Sequence, residues 1–161
     1  MKIFRTVLMS MVLMFAGILW ATRAEFLPSM SAFAFKPNNI FYIGMHFCIF
    51  FTFLIDGIVS KGIRWTSYFV SLGALGILAF DMYSYPMAHN LITAFTVSLA
   101  VFNMIFHGLP KNRPLHILNG VVAGLFFFLG VLTSVHLFLA EAIAEFTIAV
   151  SMLWRIWKEE K

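Results

Sequence analysis

Cysteine and charge are both scarce in this 161-residue chain, and each scarcity excludes something. The one cysteine, Cys48, has no intramolecular disulfide partner, so the fold owes nothing to a disulfide framework and the residue says nothing about redox compartment. Charged residues make up only 11% of the sequence, against about 25% in an ordinary soluble domain. With 61% hydrophobic residues, the chain has too little polar surface for a water-soluble globule. Several sequence motifs of catalysis are also missing. There is no P-loop, no G-x-G-x-x-G, no G-x-S-x-G and no lysine within an apolar run to carry a retinal Schiff base. That removes P-loop nucleotide hydrolysis, Rossmann-type dinucleotide chemistry and serine-elbow hydrolysis from consideration. No internal repeat and no low-complexity tail interrupts the sequence.

What the chain does have is apolar length. Six segments, roughly 4–22, 40–60, 65–85, 88–107, 115–137 and 141–157, each approach the twenty or so residues that cross a hydrocarbon core about 30 Å thick. Nine of the eleven basic residues lie at alternate ends of these segments: Lys2 and Arg5, Lys61 and Arg64, Lys111 and Arg113, then Arg155, Lys158 and Lys161. The opposite ends carry only Arg23 and Lys36. By the positive-inside rule both termini are expected in the cytoplasm and the other three loops outside. The expected architecture is all-α, a polytopic six-helix transmembrane bundle forming one domain over 1–161. The net charge of +4 is spread over four cytoplasmic ends, which argues for the anionic inner leaflet as partner and against nucleic acid.

Two segments have competing readings. Residues 1–24 carry signal-peptide features, with Lys2 and Arg5 ahead of an apolar run and Thr22-x-Ala24 as a weak cleavage site. They also complete the charge alternation, so they read as a span. From Leu115 to Trp157 there is no proline and the last glycine is Gly130. One unbroken helix there would be about 65 Å long, twice the bilayer, and would carry Arg155, Lys158 and Lys161 to the wrong side. A hairpin near Leu137–Ala140 is therefore expected. Loop chemistry is modest: Pro28 and Pro37 bound the longest outer loop, with Ser29, Ser31, Asn38 and Asn39 as turn and cap residues. Gly120-x-x-x-Gly124 sets two glycines on one face of the fifth helix for close packing, and Gly73 and Gly76 do the same on the third.

An ionisable side chain at the centre of a span costs roughly 2.5–3.5 kcal/mol on insertion scales, so those retained face the bundle interior. By depth they fall into two sets. His46, Asp81, His89, His136, Glu141 and Glu145 lie toward the outer surface. Asp56, Asn103, His107, His116 and Asn119 lie toward the inner one. Each has a purely structural reading. Glu141 and Glu145 would open the sixth helix, where the macrodipole favours acids; Asp81 and His136 would end helices in the headgroup zone; His46 would bond a neighbouring carbonyl. Asp56 would pair locally with the Lys61/Arg64 turn, and His107 and His116 would contact headgroups. His89 and Glu145, opening adjacent outer helix ends, are expected within direct or one-water reach. As zinc ligands, His46, His89 and His136 with Asp81 have no signature spacing. For haem b, His46/His89 and His107/His116 are pairs at matching depth. Neither pattern is specific, so the expectation is no metal and no cofactor.

After the first span the chain reads Leu27-Pro28-Ser29-Met30-Ser31 ahead of an aromatic-rich second helix. This resembles the P-x-I/V-S outer-loop motif of the DRAM/Frag/Sfk family of six-span membrane proteins, with Met30 where Ile or Val is usual. Tyr85-Pro86 followed by His89-Asn90 is similar to that family's outer histidine, and Ala144-Glu145-Phe146 to its Glu-aromatic pair in the last helix. The resemblance implies that Ser31, His89 and Glu145 belong to an outer polar cluster and that the protein handles or remodels lipid near the outer leaflet. The sequence identifies no catalytic residue. Beside the lipid-site candidates Ser31, His46, Asp81, His89, Glu141 and Glu145 stands a second reading, a non-catalytic subunit packing with protein partners in a larger membrane assembly. An open cavity among His46, His89 and Glu145 would favour the first, and an uncovered Gly120/Gly124 face the second.

Overall fold

The structure is a computed structural model that describes residues 1–22, 39–59, 64–108, 114–133 and 137–159. Those residues form six helices: α1 (Lys2–Thr22), α2 (Asn39–Val59), α3 (Arg64–Ala79), α4 (Pro86–Gly108), α5 (Pro114–Thr133) and α6 (Leu137–Glu159). Four of them, α1, α2, α4 and α5, are long and apolar enough to cross a membrane. α3 has 16 residues, and α6 carries more charge than the other helices, with Glu141, Glu145, Arg155 and Lys158 along its length. Each helix packs on its neighbours in sequence, and α6 returns onto α1, so the bundle closes into a ring. Lys2 Nζ donates to the carbonyl of Trp157 (3.4 Å), which brings the start of α1 and the end of α6 to one end of that ring.

The helix boundaries follow local chemistry and correct two expectations. α3 stops at Ala79 and not near 85, because Asp81 folds the chain back: its Oδ1 accepts from the backbone N–H of Tyr83 (2.9 Å) and of Ser84 (2.7 Å). Pro86, preset for the first turn and lacking an N–H that would be orphaned there, then opens α4. Pro114 opens α5 in the same way. α5 and α6 lie side by side, joined across their length by Asn119 Nδ2 donating to Ser151 Oγ (2.7 Å), so 115–157 is a hairpin. α5 ends at Thr133 and α6 begins at Leu137, so the stretch Leu137–Ala140, where the bend was expected, is helical. Glu141 and Glu145 therefore lie past the first turn of α6, and that turn carries no acid. A helix dipole acts mainly within the first turn, so it does not account for either glutamate.

The main core, which includes Met9, Leu19, Tyr42, Met45, Phe53, Val70 and Met152, gathers side chains from α1, α2, α3, α4 and α6. A smaller cluster of Ala123, Phe127 and Ala144 attaches α5. Large apolar side chains also cover the outside, among them Phe95, Leu125, Phe126, Leu129 and Leu132. Close helix contacts depend on small residues. A methyl carbon placed on Gly120 would stand 2.7 Å from Ile105 Cγ1 and 3.4 Å from the Val101 carbonyl oxygen, both on α4. One placed on Gly73 would overlap Thr96 of the same helix. The Gly120/Gly124 face is thus covered by α4 within the chain.

Candidate functional site

At the end of the bundle where α1 starts and α6 finishes, a buried polar network replaces the apolar core. Asp56 of α2, with no exposed surface, is its centre. Arg5 of α1 reaches Asp56 Oδ1 at 3.2 Å, Arg155 of α6 pairs with Oδ2, and Ser67 of α3 donates to Oδ2 at 2.7 Å. Arg155 Nη1 also donates to Asn103 Oδ1 of α4 (2.8 Å), and Asn103 Nδ2 donates to Thr66 Oγ1 (2.6 Å) and Ser67 Oγ (3.0 Å). Five helices meet in one set of charge-assisted bonds. This corrects the expected local pairing of Asp56 with the Lys61/Arg64 turn: Arg64 is exposed, Lys61 lies outside the described residues, and Asp56 faces the ring interior. It also removes Arg5 and Arg155 from the set of loop charges, since both are buried. A signal for them was present. A carboxylate inside a span needs a partner, and these were the arginines placed within apolar segments rather than beyond them. His116 is buried at the start of α5, Asn119 bonds Ser151, and the side chain of His107 lies outside the described residues.

The opposite end holds the other candidates. A cleft of about 510 Å³ opens between α2, α3 and the start of α4, walled by Tyr42, Phe47, Leu75, Ile77 and Leu78 with Asp81 and His89 at its polar end. Ile43 and Phe47, both exposed, form an apolar lip. His89 Nδ1 donates to the Phe80 carbonyl at 2.7 Å, which fixes the ring at the turn between α3 and α4. The backbone N–H of Ser84, followed by further bonds within the turn, holds the Asp81 carboxyl below its ordinary range, so it presents a negative charge at physiological pH.

Deeper in the ring lie two small cavities, of about 40 and 60 Å³. Both are lined by His46, Ile77, Val97 and Glu145, and the smaller also by Tyr42, Thr93 and Glu141. His46 is buried and its Nδ1 donates to the Tyr42 carbonyl at 3.0 Å, as expected for a histidine in a span. Glu145 Oε2 is buried and receives no hydrogen bond. The structure thus brings Glu145 together with His46 and Glu141, and places His89 in the neighbouring cleft with Asp81. The expected meeting with His89 does not occur at Glu145 Oε2, which makes no hydrogen bond, and His89 Nδ1 is held by the Phe80 carbonyl at the α3–α4 turn. Ser31, His136 and the Leu27–Ser31 segment lie outside the described residues. Among the described residues, no three His, Cys, Asp or Glu side chains converge as metal ligands. No protein-family model, known protein or solved structure matches the chain.

Proposed function

We propose that this is a six-span membrane protein, with both termini in the cytoplasm, that binds an amine-bearing lipid headgroup in the cleft between α2, α3 and α4. The cleft itself carries the reading. Its volume of about 510 Å³ is that of a small-molecule site, and it combines apolar walls with one ionised carboxylate and one imidazole at its polar end. Asp81 supplies the negative charge that favours an amine. Ile43 and Phe47 give the acyl region an apolar edge at the protein surface. The same assignment for His89 is what the resemblance to the DRAM/Frag/Sfk family implies.

Three observations support the six-span arrangement. α3 is packed between α2 and α4, and α6 between α5 and α1, so a bilayer that takes up the four long apolar helices has the other two alongside. α6 turns Arg155 inward, away from lipid. Aromatic side chains are exposed at both ends, Trp65, Trp154 and Trp157 at one and Trp20, Tyr83 and Tyr85 at the other, as membrane interfaces favour. The observation that would favour the subunit reading, an open glycine face on α5, is not met, since α4 covers that face.

The test is lipid carried through mild purification, quantified by mass spectrometry per folded molecule. Leu75→Trp, which fills the cleft from α3, is expected to lose most of the retained lipid while keeping the melting temperature. Asp81→Asn keeps the turn acceptor and removes the charge, so the share of amine-bearing headgroups should fall. Unchanged lipid content and composition in both variants would overturn the proposal.

A further inference from the structure

The inner cavities point to an occupant other than lipid. On the same measure a water molecule needs about 10–15 Å³, so spaces of about 40 and 60 Å³ hold one to a few waters and no acyl chain. They lie in sequence from the cleft. Tyr42 and Ile77 line both the cleft and the smaller cavity, and His46, Ile77, Val97 and Glu145 line both cavities. The polar groups along this course are Asp81 and His89 in the cleft, then Thr93 and Glu141, then His46 and Glu145. Thr96, whose hydroxyl donates to the Ile92 carbonyl, also lines the larger cavity. Most of the remaining lining is apolar, with Met9 and Val12 from α1, Val70, Ala74 and Ile77 from α3, and Phe127 from α5.

We propose that Glu145 and His46 form a proton-binding pair inside the bundle, reached from the Asp81/His89 cleft through water in these cavities. The hydrogen-bond inventory supports it. A carbonyl oxygen only accepts, so His46 Nδ1 carries the hydrogen in its bond to Tyr42, and Nε2 of the neutral ring is an acceptor. Glu145 Oε2 lies buried with no donor aimed at it, an arrangement unsuited to a bare carboxylate and suited to a carboxylic acid whose O–H donates to cavity water. That water can donate in turn to His46 Nε2. Passing one proton along the line converts acid and neutral imidazole into carboxylate and imidazolium, with no charge gained or lost by the pair. Glu141, one turn away on the same helix, lines the smaller cavity with the pair. This site is independent of the lipid proposal and persists whether or not the cleft is filled.

Infrared spectroscopy of the intact, delipidated protein at neutral pH tests it. The wild type should show the carbonyl stretch of a neutral carboxylic acid, shifting down after transfer to D2O. Glu145→Gln should abolish that band and Glu141→Gln should retain it; if Glu145→Gln does not fold, Glu145→Asp should move the band's frequency. Absence of the band in the wild type, its survival unchanged in the Glu145 variant, or a band that never exchanges in D2O would each overturn the proposal, the last by removing the water route.

Discussion

Asp56 shows how much one buried carboxylate can organise. Two guanidiniums reach it from opposite ends of the sequence, so α1 and α6 are tied to α2 by the same pair of oxygens, and Ser67 adds α3. Removing one partner of a buried ionic group is far costlier than never having the group, because the remaining charges are left desolvated. Asp56→Asn leaves Arg5 and Arg155 facing each other without the charge that separates them, and should lose about 3–5 kcal/mol of stability. Replacing the whole trio, Arg5→Met with Asp56→Leu and Arg155→Met, should lose less than half of that, since the desolvation penalty goes with the charges. Thermal unfolding in one detergent compares the two; a triple variant less stable than Asp56→Asn would contradict this account. Asp56 was legible in the sequence as an expensive residue, and the one sign of its partners was that Arg5 and Arg155 fall just inside their apolar segments. Arg5 and Arg155 fit the positive-inside pattern equally well as loop charges, and only the inward faces of their helices distinguish the two roles.

Among the elements, glycine spacing foretold that helices approach closely and left open against what. Gly120 and Gly124 mark a face that serves equally for a neighbouring molecule or a neighbouring helix, and here α4 fills it. Gly73 is the more constrained position, because the Cβ of any other residue would meet Thr96, whose branched side chain is already fixed by its bond to the Ile92 carbonyl at 2.7 Å. Gly73→Ala should therefore cost about 1–3 kcal/mol as an overpacked contact. Gly17, where an added methyl carbon would meet nothing within 4 Å, is the control. Gly17→Ala should be neutral or stabilising by up to ~1 kcal/mol, the helix-propensity difference. Equal melting temperatures for the two variants would refute the close α3–α4 contact. Helix ends were less legible than helix faces. Apolar residues continue past Ala79, and the Asp81 turn that stops α3 depends on a side-chain acceptor that hydropathy does not register.

For the whole molecule, orientation is the property on which the lipid proposal depends. Setting aside the buried Arg5 and Arg155 leaves seven basic residues (9 − 2) assigned to the cytoplasmic ends against two, Arg23 and Lys36, at the others. The bias survives, because Lys2 and Lys158 keep to the termini end, each over a tryptophan ring at 5.0 and 5.1 Å, where cation and aromatic both suit a membrane interface. Helix count decides between topologies that share this feature. If α1, α2, α4 and α5 alone crossed the bilayer, the termini would still lie together, but Arg64 at the start of α3 and Tyr83 in the turn after it would lie on the same side. If all six cross, those two positions are separated. Single-cysteine variants at Arg64, Tyr83 and Lys158 make the distinction, with native Cys48 buried and shielded from reagent. In intact cells a membrane-impermeant maleimide should label Tyr83→Cys, and should label Arg64→Cys and Lys158→Cys only after permeabilisation. Labelling of Arg64→Cys together with Tyr83→Cys would overturn the six-span arrangement. Labelling of Lys158→Cys together with Tyr83→Cys, but without Arg64→Cys, would place α6 outside it.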